Sequence, residues 1–383
     1  RRRTVAARAI VAALAALAIA VVIGGVVATQ RGGGTGSRTG TGGPVGGPVA
    51  FFNRTTYSNS TSAKDASRFQ LLELGGTASR TLVDSIHAAV PHPKVVIYMA
   101  AVVQSTNNTS FGAGNCFPYR SGLPYGGVPT SYFLHDASGA VVQTGGTTYW
   151  LDPSNPSVQR GCADAMVNQA LRAHADGTTL DLVDTTLNYG GQPSCPGGSA
   201  ACATNGGYQA AMTSFLRYTA RELHRNRLIL LPNIGGGSIT DTSGQTFWNL
   251  WTGIADGSDE ESFAFGTTQR PISASQVASE LQNVAWSEAH GKYVLLNGDM
   301  PQGDSRRTTY ALALMLMVAG GHSSWDISEG CNTTCDNWLP VYTAAERLGG
   351  PLGPYTLDGS VYRRRFQNGT VTANVATHTG NIP

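Results

Sequence analysis

The stretch Asp176-Gly177-Thr178-Thr179-Leu180-Asp181-Leu182-Val183-Asp184 poses the chemical question of this chain. Its Thr-Thr-Leu-x-Leu-Val pattern is β-branched and apolar, the texture of a buried strand. Burying a carboxylate there is costly unless it is paired, hydrogen-bonded or set at the mouth of a cleft. Asp181 falls inside the strand and Asp184 at its end. About eighty residues on, Asp259-Glu260-Glu261 brings three more carboxylates to a second, weaker strand. Carboxylates on different strands that point into one mouth suit glycoside hydrolysis: one donates a proton to the leaving oxygen while the other attacks or activates water. Asp181 and Glu261 are the expected catalytic pair. Asp184 also reads as a cap for the next segment, and Asp176 with Gly177 as a turn before the strand.

The elements that must position these groups alternate between apolar runs and amphipathic helical stretches, the pattern of βαβ units around a parallel sheet. Strands are expected at 49–54, 69–74, 94–100, 176–184, 227–233, 257–263, 292–297 and 323–326. Helices are expected at 77–89, from Asp152 to His174, and at 207–225, 273–290 and 307–318. Eight strands over roughly three hundred residues is the count of a (β/α)8 TIM barrel in the α/β class, with a doubly wound open sheet as the other arrangement. A barrel places its site at the C-terminal ends of the strands. The polar residues there are Arg54, Glu73, Gln104, Asp181, Asp184, Asn233, Asp259, Glu260, Glu261, Asn297, Asp299 and Asp326. Arg54, Tyr132, Asp184, Asn233, Asn297 and Trp325 are the expected substrate-binding residues. Tyr132, Tyr149, Trp150, Tyr189 and Trp325 offer rings on which sugars could stack.

Composition narrows the function classes. Charged residues make up 13% of the 383, with a formal net charge of +2, and no basic patch is interleaved with aromatics. Nucleic acid is therefore not an expected partner. No G-x-G-x-x-G follows an early strand, and Walker, H-x-H and H-E-x-x-H motifs are absent, so neither cofactor nor metal is expected. A G-x-S-x-G elbow is also lacking, which argues against Ser/His/Asp hydrolysis.

Residues 1–30 carry Arg1-Arg2-Arg3 ahead of an apolar run, the form of a signal anchor or a signal peptide. A Gly/Thr/Pro-rich linker follows at 31–48, the barrel at 49–350 and a C-terminal β element at 351–383. In that element an Asn-Gly turn joins Val361–Phe366 to Val371–Val375, a strong hairpin signal, and Pro383 ends the chain before the element need be complete. This order implies an extracytoplasmic protein, membrane-anchored or secreted. Six cysteines agree with export: Cys195 with Cys202 and Cys331 with Cys335 would close short loops, leaving Cys116 with Cys162. The rival, a zinc site, lacks C-x-x-C and suitably spaced His.

Asp176-Gly177-x-x-Leu180-Asp181 resembles the Asp-Gly-hydrophobic-Leu-Asp strand of the TIM-barrel family called hypothetical glycosyl hydrolase family 15. Tyr132-Phe133-Leu134-x-Asp136-x-x-Gly139, Leu151-Asp152-Pro153, Asp256-Gly257-x-x-x-Glu261-Ser262-Phe263 and the tail Val361-Tyr362-Arg363-Arg364-Arg365-Phe366-x-Asn368-Gly369 match in the same order. The resemblance runs from about Phe51 to Val375. It implies a barrel glycosidase with Asp181 and Glu261 as the matched carboxylates and a polysaccharide or oligosaccharide as substrate. The chain departs from the family at Thr178-Thr179, where an apolar pair is usual, and at Leu182, where a second acid follows the aspartate. Two other readings stand beside a glycoside hydrolase: a non-catalytic carbohydrate-binding barrel of the cell envelope, and an envelope scaffold.

Overall fold

The computed structural model describes residues 50–55, 66, 68–89, 92–105, 114–118, 120–136, 138–144, 147–187, 205–266, 269–298, 303–326 and 338–383. Eight parallel strands close a barrel: β1 (Ala50–Thr55), β2 (Leu71–Leu74), β3 (Lys94–Ala100), β7 (Gly177–Asp184), β8 (Ile229–Gly235), β9 (Gly257–Glu260), β10 (Tyr293–Leu296) and β11 (Ser323–Asp326). The closing pair is β1 with β11, in register at Phe51 and Trp325. Three short strands form an antiparallel sheet between β3 and β7: β4 (Val103–Ser105), β5 (Gln143–Thr144) and β6 (Thr148–Trp150). The helices are α1 (Arg80–His87), α2 (Pro156–Ala173), α3 (Asn205–Arg225), α4 (Phe247–Ile254), α5 (Ala274–Ala289), α6 (Ser305–Val318) and α7 (Pro340–Arg347).

The short β9 forms although Gly-Ser-Asp-Glu has low strand propensity, because it is hydrogen-bonded to β8 and β10 on either side. Helices α4 and α7 were not expected from periodicity. In α4 an apolar Phe-Trp-Asn-Leu-Trp run lacks a polar face, since Phe247, Trp248, Trp251 and Thr252 are all buried. Phe52, Leu71, Val96, Leu231 and Leu295 fill the barrel interior, while the larger core lies between strands and helices.

The N-terminal ends of β7 and β9 are tied down alike. Asp176 precedes β7 and accepts the Val95 N–H at 2.8 Å, with His87 Nε2 at 2.9 Å. Asp256 precedes β9 and accepts the Leu230 N–H at 2.9 Å, with His224 Nε2 at 2.8 Å. A Cβ on the following Gly177 or Gly257 would strike the backbone carbonyl of Ile229 or Tyr293 in the next strand, so each position needs glycine. Asp176 is therefore a strand staple rather than only a turn residue. Burial alone would raise its pKa, but the His87 and Val95 hydrogen bonds and the Lys94 charge outweigh that and hold it below the usual range.

The disulfide Cys116–Cys162 joins the excursion after β4 to α2. Cys195, Cys202, Cys331 and Cys335 lie outside the described residues, as do the expected anchor at 1–30 and linker at 31–48. Among the described residues no helix is long and apolar enough to cross a membrane.

The C-terminal element is a four-stranded antiparallel sheet: β12 (Thr356–Asp358), β13 (Val361–Phe366), β14 (Gly369–Asn374) and β15 (Thr379–Asn381). Its hairpin turns at Asn368-Gly369, with Phe366 opposite Gly369. The sheet packs on α6, where a Cβ on Gly380 would meet the backbone of Thr309 and Tyr310. Arg364 locks the contact: its guanidinium donates to the carbonyls of Leu316 at 2.9 Å, Ala319 at 2.7 Å and Gly353 at 3.0 Å. Orphan carbonyls at a helix C-terminus are good partners for a cation. Arg364→Ala should lower stability by roughly 2–3 kcal/mol in denaturant titration, and Arg365→Ala, on the exposed face, by less than about 0.5 kcal/mol. Equal effects of the two substitutions would refute this anchoring role.

Candidate active site

Successive residues of a strand face opposite sides, so Asp181 and Asp184, three apart, should point apart. They do not. The β7–β8 register runs Leu180 to Pro232 and resumes with Val183 to Ile234, so Asp181 and Leu182 together face Asn233. This is a β-bulge, and Leu182 adopts a left-handed φ of 62° to make it. Past the bulge the parity is reset, and both aspartates line one cavity while Leu180 and Val183 stay in the core.

That cavity, of about 590 Å³, opens at the C-terminal ends of β7, β8 and β9 and is walled on one side by α5. Among the described residues Asp181 accepts hydrogen bonds from Tyr98 Oη at 2.6 Å, from Asn233 Nδ2 at 3.0 Å and from the Leu182 N–H at 2.7 Å. Three donors on two oxygens fix the rotamer of a carboxylate acting as acceptor. Asp184 is different. Its Oδ2 is buried without a hydrogen bond among the described residues, and its Oδ1 lies where a Cβ on Gly235 would be. Burial, followed by the charges of Asp181 and Glu261, raises the Asp184 pKa to about 7. Those two charges act on Asp184 because all three carboxyls share the cavity. Tyr208 of α3 is buried near Asp184, and burial with that negative charge pushes its phenol well up.

Asp181, Asp184, Asn233 and Glu261 thus all line the cavity, joined by Glu260 and by Gln276, Ser279, Glu280 and Asn283 of α5. Asn297 stands apart, donating to Asp326 Oδ2 at 3.2 Å. Glu73, Asp259 and Asp326 are buried within the barrel and do not line the cavity. Arg54 pairs in register with Glu73, and its side chain lies outside the described residues, as do Tyr189 and Asp299. The expectation for Trp325 is corrected: it is wholly buried, because its β11 parity turns it to the outer core rather than the mouth. Trp150 is buried too, Tyr132 packs on Phe117 and Tyr149 on Tyr125, so none of these rings lines the cavity.

Tyr98 was legible in principle, since β3 alternation puts it on the same face as Val96. Glu280 was not, because a polar residue in an amphipathic helix reads as solvent-facing. Among the described residues no group of His, Cys, Asp and Glu has the arrangement of a metal site.

The model of hypothetical glycosyl hydrolase family 15 matches residues 87–370. No curated protein matches the chain. Similar solved structures include a maltogenic alpha-amylase from Thermotoga neapolitana, 10% identical, TM-score 0.48, covering 86% of each chain. An alpha-amylase from Lactobacillus plantarum is 12% identical, TM-score 0.48, covering 86% of this chain and 88% of that one. A cycloisomaltooligosaccharide glucanotransferase from Paenibacillus sp., complexed with cycloisomaltoheptaose, is 14% identical with a TM-score of 0.41. That match covers 65% of this chain and 38% of the glucanotransferase. At such identities and scores the likeness bears on neither substrate nor mechanism.

The Asp184 environment predicts a pH dependence of stability. Its folded pKa of about 7 lies above the unfolded 3.8, so between these values the folded chain keeps a proton that the unfolded chain releases. Stability from this group is full below pH ~4 and falls as pH rises to ~7. Asp184→Asn removes the titration, so its stability relative to wild type should rise by roughly 2–4 kcal/mol between about pH 5 and pH 8. Urea titrations at the two pH values check this, and parallel pH profiles would contradict it.

Proposed function

From the premise that the chain belongs to hypothetical glycosyl hydrolase family 15, we propose that it is an exported glycoside hydrolase of polysaccharides or oligosaccharides, with Asp181 and Glu261 as its working pair. The observation that carries this reading is one cavity at the barrel mouth lined by both carboxyls, with Asp181 held by three donors. One of the pair gives its proton to the glycosidic oxygen as the bond from the anomeric carbon to that oxygen breaks, and the other, as a carboxylate, either attacks the carbon, forming a glycosyl ester that water later cleaves, or takes the proton of an attacking water. Asp184, protonated below about pH 7, lowers the negative charge beside Asp181. Export is supported by the Cys116–Cys162 disulfide, which persists in oxidising compartments.

A polysaccharide panel tests the assignment. Wild type should release reducing ends from at least one polymer, and Asp181→Asn or Glu261→Gln should lower kcat by about 10²–10⁴-fold with the thermal transition retained. The anomer first formed, read by NMR, tells retention from inversion. Equal turnover by all three proteins removes these residues from the chemistry. Binding without turnover by wild type favours the carbohydrate-binding barrel instead.

A further inference from the structure

Five carboxyls line the cavity: Asp181 and Asp184 of β7, Glu260 and Glu261 at the end of β9, and Glu280 of α5. Each opposes the ionisation of its neighbours, so hydrogen-bond donors weigh heavily on which of them stays an anion. Among the described residues those donors are shared out unequally. Glu260 accepts the Ser262 N–H at 3.2 Å and Glu280 the Ala264 N–H at 2.9 Å, while burial, the largest influence on each, raises both. Asp184 Oδ2 accepts no hydrogen bond. Asp181 accepts on both oxygens: Oδ1 from the Leu182 N–H and from Asn233, and Oδ2 from Tyr98.

Tyr98 reaches Asp181 from the neighbouring strand. Val95, Ile97 and Met99 of β3 face the helices, so alternation turns Val96 and Tyr98 into the barrel. Tyr98 is in register with Thr179, two residues before Asp181, and its phenol spans that step of about 6.6 Å to reach Oδ2. The ring is also held in place from the end of β3. A Cβ on Gly114 would lie 3.6 Å from Tyr98 Cε1 and 3.2 Å from the Ala100 nitrogen, so this segment packs directly on the ring. Asn115 ties the same segment to β4: its Oδ1 accepts the Ser105 N–H at 3.0 Å and its Nδ2 donates to the Ser105 carbonyl at 3.1 Å. The Cys116–Cys162 disulfide fixes the next residue to α2.

Resting on the glycosidase reading above, we propose that Tyr98 is a positioning residue: its phenol O–H keeps Asp181 the ionised member of the pair, which makes Glu261 the proton donor. An O–H···O⁻ bond is charge-assisted, so it favours the anion over the protonated acid. With Oδ1 tied to Leu182 and Asn233, the bond to Oδ2 also stops the carboxylate plane from swinging about its other edge. In the reaction the Glu261 proton goes to the glycosidic oxygen, which keeps the electron pair of its broken bond to the anomeric carbon. Asp181 gives an electron pair to that carbon or takes a proton from the water that attacks it.

Tyr98→Phe in the full chain keeps the ring and removes one donor, and two measurements read the effect. The first follows kcat and kcat/KM against pH on a polymer that wild type hydrolyses. The variant should lose about 10–10²-fold in kcat with KM within about threefold, and the acidic limb of its profile should move up by about one pH unit. The second needs no substrate: carbon-13 NMR follows the carboxyl resonance that is missing from Asp181→Asn. Its titration midpoint should rise in Tyr98→Phe by a similar amount. 3-Fluorotyrosine in place of Tyr98, a stronger donor on the same ring, should lower that midpoint, and it decides the matter if Tyr98→Phe does not fold. A fall in kcat with both profile and midpoint unmoved overturns the proposal, as does movement of the basic limb instead. An unmoved midpoint with turnover by wild type sinks the role of Tyr98 and leaves the glycosidase reading standing. A raised midpoint without turnover of any polymer sinks the glycosidase reading and keeps Tyr98 as the residue that holds Asp181 ionised.

Discussion

One extra residue in β7 decides what the barrel mouth contains. With regular pleating, Asp181 and Asp184 would sit on opposite faces of the sheet, one in the barrel and one against the helices. The bulge at Asp181-Leu182 turns both inward. The left-handed Leu182 costs about 1–2 kcal/mol relative to ordinary strand geometry. The same turn aims the Leu182 N–H at Asp181 Oδ1, so the strain and the orientation of the carboxylate are one feature. Asn233, the residue opposite the bulge, completes it by donating to the same oxygen. Gly235 then leaves room for the Asp184 carboxyl that the reset parity brings in.

The barrel divides its labour along the strand axis, and two sequence motifs run the whole way. Asp176-Gly177 leads to Asp181, and Asp256-Gly257 to Glu261, each over five residues, or roughly 16 Å of strand. At the N-terminal end each aspartate accepts the N–H of a neighbouring strand, β3 or β8, and pairs with a histidine at the end of the helix before that neighbour, α1 or α3. At the C-terminal end each motif delivers a carboxyl to the cavity. The conformationally demanding glycines and ionic staples thus stabilise the face that does no chemistry, which is the usual polarity of such barrels.

Much of this was legible because period-2 apolar runs and turn residues are local signals. All eight barrel strands and the Asn368-Gly369 hairpin follow from them, even the poor β9. What the sequence hid is what depends on parity and on partners distant in the chain. A bulge leaves no mark when the residue with positive φ is leucine rather than glycine. Trp325 is an aromatic at a strand end in the sequence and a core residue in the fold, because one step of parity separates it from Asp326. Glu280 faces the cavity only because α5 packs on β10 and brings its carboxyl to the Ala264 N–H in the turn after β9, and no local pattern marks that contact. Arg364 is the middle of three successive arginines in a hairpin strand; only the docking on α6 singles it out.

The cavity wall is also where the fold gives up stability. Asp184, Glu260 and Glu280 are desolvated carboxyls whose ionisation is opposed by burial and by one another's neighbours. A core built for stability alone would fill such positions with apolar side chains of similar volume, which are often equally or more stable than buried charges. The rest of the chain compensates: a filled barrel interior, two Asp–His staples, a disulfide across the β4–α2 excursion and a helix end held by Arg364. The two staples and the Arg364 contact lie at the barrel face opposite the mouth. Rigid support placed around a destabilised patch is the arrangement expected when the patch is retained for what it binds rather than for what it holds together.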